Sequence, residues 1–270
     1  MPVSVKKIIL NILKVLAVIC IAVCLLLYFY QGHFIFFPEK IAEDYKFEFK
    51  QNFEELTFKT DDNKLLDGIL FKSDSSKGLI FYLHGNAGSL KSWGGIAKTY
   101  TDLNYDLFML DYRGYGKSEG SICSEGQFYK DLQLEYDKLK MRYPENHIII
   151  LGYSIGTGPA AELASTNNPK LLILQAPYYS LTDVMKHNYS IVPTFILKYN
   201  FETNKFLKEC KMPVVIFHGD HDEVFNYESS LRLKELFKKN DTLIILKGQG
   251  HNGMSDNPQY LMEMRKILRK

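Results

Sequence analysis

The chain has 270 residues, of which 46% are hydrophobic and 24% charged. That is ordinary globular usage and excludes a wholly disordered chain, a collagen-like repeat and a long coiled coil. The 33 basic and 31 acidic residues leave a net charge of +2, so nothing points to nucleic acid as a partner, and four cysteines are too few for a disulfide scaffold.

The first element is apolar. From Val15 to Tyr30 no residue is charged, and the run reaches back to Ile8 past Asn11 and Lys14. About 20 apolar residues cross a bilayer as a helix, so the stretch about 8–30 reads as a transmembrane anchor, with Lys14 snorkelling to the headgroups. Tyr28, Phe29 and Tyr30 close it as an interfacial aromatic belt. A cleaved signal peptide would end in small residues. A lipoprotein signal would place a small residue before its cysteine, but Ile19 precedes Cys20 and Val23 precedes Cys24. A core helix would not be apolar all round at an N-terminus. Lys6, Lys7 and Lys14 on the N-terminal side place that end in the cytoplasm and the remaining domain on the far side. Cys123 and Cys210 read as unpaired thiols.

Residues 33–270 then form one domain. Residues 53–60 and 65–72 are strand-like runs joined by the turn Asp61-Asp62-Asn63. Apolar strands follow at Leu79–Leu83, Leu107–Leu110, His147–Leu151, Leu171–Leu174, Val214–Phe217 and Thr242–Leu246. Helices alternate with them at Ser92–Leu103, Glu125–Arg142, Ile155–Ser165 and about Tyr227–Lys238, with a last one opening at Pro258. Continuous apolar strands imply burial on both faces. The alternation therefore predicts an α/β fold with a mostly parallel central sheet and helices on both faces. The one long interruption, 178–211, is aromatic-rich and reads either as a short cap over a substrate or as a helix covering the sheet.

Two stretches match G-x-S-x-G: Gly152-Tyr153-Ser154-Ile155-Gly156 and Gly116-Lys117-Ser118-Glu119-Gly120. A nucleophile elbow needs a strand running into the motif and a helix leaving it. Ser154 has both; Ser118 follows a loop. Gly156-Thr157-Gly158-Pro159-Ala160-Ala161 also fits a dinucleotide fingerprint, but the next strand ends Leu174-Gln175-Ala176 without the acid that holds a ribose. A serine nucleophile needs a base, an acid to orient the base and donors for the oxyanion. His251, just after the last strand, is the expected base, with His221 its nearest competitor. Asp222 is the expected acid, with Asp220 and then Asp183 as alternatives. The oxyanion donors are expected at Ile155, after the nucleophile, and Asn86, in the loop His84-Gly85-Asn86-Ala87-Gly88.

Four segments together carry a resemblance: HGNAGS at 84–89, DYRGYGKSEG at 111–120, GYSIGTGPA at 152–160, and HGDHDEVF at 218–225 with GHN at 250–252. They resemble the α/β-hydrolase superfamily, in particular its membrane-anchored abhydrolase-domain and serine aminopeptidase-like branch, which includes lysophospholipases. The resemblance covers residue 35 onward. It implies the chain order Ser154, Asp222, His251, oxyanion donors at Asn86 and Ile155, and structural roles for Asp111 and Arg113. The insertion is shorter than many caps of the family. Related depalmitoylases attach through lipidated cysteine-rich N-termini where this chain has an apolar helix.

The implied reaction is hydrolysis of an acyl ester or thioester, lipid-like by preference, through an acyl-enzyme and with no metal or organic cofactor. Activity should fall as His251 protonates. Amide hydrolysis of short peptides is the second enzymatic reading, and it lacks an identified acid for the substrate amine. A non-catalytic membrane scaffold is the reading from another class.

Overall fold

A computed structural model of the chain describes residues 4–189 and 192–269. Eight strands lie in one sheet: β1 (Phe53–Lys59), β2 (Leu65–Phe71), β3 (Leu79–Leu83), β4 (Asp106–Leu110), β5 (Ile148–Tyr153), β6 (Leu171–Gln175), β7 (Val214–Gly219) and β8 (Thr242–Leu246). Their spatial order is β1-β2-β4-β3-β5-β6-β7-β8. Only β2 runs against its neighbours; the pairs from β4 to β8 are all parallel. β3 to β7 are buried at every position, which explains why they appear in the sequence as unbroken apolar runs rather than alternating ones.

The helices are α1 (Val5–Ile35), α2 (Leu90–Trp93), α3 (Ala97–Thr101), α4 (Glu125–Lys140), α5 (Thr157–Thr166), α6 (Leu181–Asn188), α7 (Thr203–Glu209), α8 (Glu228–Lys234) and α9 (Pro258–Ile267). Strand side chains alternate between faces, and each face has its own core. Phe81, Ile150, Leu172 and Ile216 pack with Phe128, Leu132 and Tyr136 of α4 and Ala160 and Leu163 of α5. Tyr82, Leu151, Ile173 and Phe217 pack with Tyr100 of α3 and Tyr260 and Met264 of α9. Each fully buried large apolar side chain contributes roughly 1.5–3 kcal/mol.

The helix expected at about Tyr227–Lys238 is the shorter α8, and two further elements differ from expectation. The helix expected at Ser92–Leu103 is broken into α2, a 3₁₀ turn at Gly94–Ile96 and α3. Gly94 lies so close to the Phe49 ring that a Cβ there would sit 2.4 Å from it, so the position requires glycine, a residue that weakens a helix interior. The apolar N-terminal helix is longer than the stretch 8–30: α1 runs unbroken to Ile35, past the expected domain start at residue 33. Its apolar window has mean hydropathy 2.9 and is 0% buried, long and apolar enough to cross a membrane.

The far end of α1 is fastened to the domain. Gln31 is buried; its side chain donates to the Ile196 carbonyl at 3.0 Å and accepts from the Lys198 N–H at 2.7 Å. Phe36 enters an aromatic cluster with Phe128, Tyr199 and Phe201. Phe37–Pro38 then pairs in parallel with Ala87–Gly88. The interruption 178–211 holds α6, a 3₁₀ turn at Thr194–Ile196, and α7. Its two readings divide between its parts: α7 lies against α5 with Leu207 in the core, covering the sheet, while Tyr189 and Phe195 are exposed. Residues 190 and 191 lie outside the described residues.

Candidate active site

β5 ends at Tyr153, and Ser154 opens a 3₁₀ turn that leads directly into α5. Ser154 has φ +52°, a left-handed conformation that costs a non-glycine residue roughly 1–3 kcal/mol and recurs at functional turns. The glycines on either side make the turn feasible. A Cβ at Gly152 would sit 2.6 Å from the Gly156 carbonyl oxygen, and one at Gly156 would sit 2.4 Å from that of Leu83.

Three side chains from three loops meet here. His251 Nε2 is 2.9 Å from Ser154 Oγ, and His251 Nδ1 is 2.8 Å from Asp222 Oδ2. The carboxylate fixes the tautomer: Nδ1–H donates to Asp222, which leaves Nε2 free to accept the serine proton. Asp222 Oδ1 accepts from the Val224 and Phe225 N–H groups at 2.9 and 2.8 Å. Burial alone would raise the Asp222 pKa, but hydrogen bonds from His218 and His251 and the Phe225 amide hold it well below the usual carboxylate range. The imidazole contacts the rings of Tyr153 and Phe225, both at 5.5 Å. Ser154 and His251 are each about 5–6% exposed, a nearly dry setting that strengthens each charge interaction.

Ile155 follows Ser154 directly, and the loop that holds Asn86 approaches the elbow at Gly85, where a Cβ would sit 3.2 Å from the Tyr153 ring. Ile155 is the second residue of its helical turn, so the turn offers its N–H no internal partner. Asn86 uses its other groups: its carbonyl accepts from the Phe37 N–H at 2.8 Å and the Tyr115 hydroxyl at 2.7 Å, and its carboxamide donates to the Ile35 carbonyl at 3.2 Å. Among the described residues no hydrogen bond consumes the Asn86 N–H. An unpaired N–H next to a serine–histidine pair can stabilise a developing oxyanion.

The alternatives are occupied elsewhere. Asp220 accepts from the Gly248 N–H at 2.7 Å, and Asp183 pairs with Arg232 at 2.7 Å. Ser118 is buried, donates to the Asp111 carbonyl at 2.5 Å and accepts from the Asp67 N–H at 2.8 Å. Arg113 forks onto Asp131 at 2.7 and 2.9 Å and also pairs with Asp62, a role within the fold. His84 donates through Nδ1 to the Gly85 carbonyl, and burial pushes its pKa down to about 4.

Several neighbours escape a sequence reading. Tyr153 donates to the His251 carbonyl at 2.9 Å. Tyr178 donates to the Ile155 carbonyl at 3.0 Å. His218 stands 3.2 Å from Asp222 Oδ2. Each depends on partners brought together by the sheet, and only the strand-end position of His218 hints at its place.

The comparisons with known proteins agree with this architecture. A family model described as serine aminopeptidase, S33, matches residues 74–206. Protein bem46 of Schizosaccharomyces pombe is 31% identical over 244 residues, covering 82% of this chain and 81% of that protein. The chain belongs to the α/β-hydrolase superfamily. This hydrolase is also 32% identical to the α/β hydrolase domain-containing protein 17B of Xenopus laevis over 201 residues, or 72% of this chain and 67% of the relative. Among solved structures, the Pyrococcus furiosus esterase Pf2001 superposes with a TM-score of 0.70 at 19% identity, covering 87% of this hydrolase and 97% of the esterase.

Proposed function

We propose that this α/β-hydrolase is a membrane-anchored serine hydrolase that cleaves acyl ester or thioester bonds. The observation that carries the reading is the line Ser154 Oγ, His251 Nε2, His251 Nδ1, Asp222 Oδ2, with both contacts under 3 Å. In the proposed cycle His251 takes the Ser154 proton as the hydroxyl attacks an acyl carbonyl. The Ile155 and Asn86 N–H groups receive the oxyanion. The imidazolium then protonates the leaving group, and the same base activates the water that frees the acyl-enzyme. Asp222, held ionised, supports the imidazolium charge throughout. None of these steps calls for a metal or organic cofactor.

A lipid-like acyl group is the favoured substrate class, supported by α1, which suits a bilayer partner, and by the exposed aromatics of the interruption. Its N-terminal lysines favour a cytoplasmic N-terminus and a catalytic domain on the opposite side. The serine aminopeptidase match favours amide hydrolysis as the second reading.

A fluorophosphonate probe tests the assignment. The parent should label, and Ser154→Ala should not. Equal labelling of the two, or no labelling of the parent, overturns it and returns the scaffold reading. Acyl-ester and aminoacyl-amide turnover compared on the labelled protein then separates the two substrate classes.

A further inference from the structure

The residues that leave α1 run alongside the loop of Asn86. Gln31 lies one residue beyond the aromatic belt, so the Ile196 carbonyl and Lys198 N–H that it holds stand at the level where the apolar helix ends. Phe195, next to Ile196, is 85% exposed, and Tyr189 is 59% exposed. Phe34 and Phe37, on the chain leaving the helix, are 63% and 50% exposed. Lys198 Nζ sits over the rings of Tyr28 and Phe29, 4.9 and 5.8 Å from their centroids, a cation placed beside the belt. One helical turn further, Ile35 accepts from the Asn86 carboxamide and Phe37 donates to the Asn86 carbonyl. From Gln31 to Ile35 a helix rises about 6 Å.

We propose that these aromatics form one membrane-docking rim. Phe34, Phe37, Tyr189 and Phe195 enter the headgroup–acyl boundary of a lipid bilayer, Lys198 meets its phosphates, and the acyl chain of the substrate reaches Ser154 directly from that leaflet. The proposal rests on the acyl-hydrolase reading for its substrate, and on geometry for its surface. The occupant is a bilayer because the rim is continuous with a 31-residue apolar helix and is fixed to the height at which that helix leaves the hydrocarbon. Exposed aromatics grouped at the foot of an apolar helix call for a covering phase, and aromatics with a neighbouring lysine suit an interface.

The test uses the full-length protein in phosphatidylcholine vesicles. Phe195→Trp should be quenched by lipids brominated on the acyl chain, beyond the quenching of the parent, whose single tryptophan is Trp93. Phe195→Asp should lower kcat/KM on a long-chain monoacyl ester held in the bilayer by about tenfold. On a water-soluble acetyl ester it should stay within about twofold of the parent, since the substituted side chain is exposed and outside the reacting groups. Absent quenching, or an equal effect on both esters, overturns the docking rim. If the parent hydrolyses neither ester, the acyl-hydrolase reading fails, and the quenching experiment alone decides the surface.

Discussion

Nε2 of His218 lies 3.2 Å from Oδ2 of Asp222, the same oxygen that receives His251 at 2.8 Å. Nε2 also faces the Phe225 carbonyl at 2.8 Å, and Nδ1 meets Ser230 Oγ at 2.6 Å. Two acceptors at Nε2 require the proton there, so Nδ1 accepts from the Ser230 hydroxyl. His218 thus acts as a positioning residue that aims the carboxylate. An asparagine can reproduce the Nδ1 contact and a glutamine the Nε2 contact. His218→Asn should lower kcat roughly tenfold with little change in KM, and His218→Gln should retain most of the parent rate. Steady-state kinetics on one acyl ester distinguishes them, and equal rates for the two variants would count against the role.

Asp222→Asn should be far more damaging. An amide facing His251 Nδ1 can present N–H instead of oxygen, which turns the imidazole to the wrong tautomer. In a related triad that change costs about 10⁴ in kcat, and a loss of similar order is expected here. Stability should respond as well. The folded Asp222 pKa lies below its ordinary value of 3.8. Its ionised form therefore contributes stability that is fully present above that value and lost as pH falls below about 4. Thermal melts of parent and variant should converge in strong acid.

Asp111 titrates in the opposite sense. It is fully buried; Oδ1 accepts from the Leu90 N–H at 2.9 Å, and Oδ2 has no partner among the described residues. Burial pushes its pKa from 3.8 up to about 8. Folding therefore takes up a proton between those values. The contribution to stability is fully present below about pH 4 and is lost as pH rises through about 8. Asp111→Asn keeps the acceptor for Leu90 without the charge. Its Tm should decline less than the parent's between pH 6 and 9, as calorimetry can determine; parallel decline would refute the neutral buried form.

Gly156→Ala places a Cβ 2.4 Å from the Leu83 carbonyl oxygen and 2.8 Å from that of His84. Both contacts are backbone, so the elbow must move away from β3. Overpacking of this kind costs about 1–3 kcal/mol, or a Tm lower by roughly 3–10 °C for a domain of this size. Probe labelling at Ser154 should slow in the same variant, because the turn that presents the hydroxyl is displaced.

The sheet was legible because β3 to β7 are buried on both faces and so carry no polar interruptions. Ser154 stood apart from Ser118 for a local reason: a strand enters its motif and a helix leaves it within ten residues. The acid and base were narrowed by position at strand ends. Less was visible where partners are distant. Nothing near His218 announces that Ser230 and the Phe225 carbonyl will fix its ring. Gln31 meets Ile196 across 165 positions, and no pattern in either segment refers to the other. The need for glycine at position 94 comes from the Phe49 ring, which only the tertiary fold delivers.

The seamless passage of α1 into the catalytic domain has a mechanical consequence. No flexible tether separates Gln31 from Phe37; the helix ends at Ile35, and the next residues are already paired with the loop of Asn86. In a bilayer, an apolar helix longer than the hydrocarbon is thick responds by tilting. With no hinge to absorb that tilt, the whole domain would turn with it. Bilayer thickness would then set the angle at which the serine meets the leaflet, so the same protein would act at different rates in thin and thick membranes.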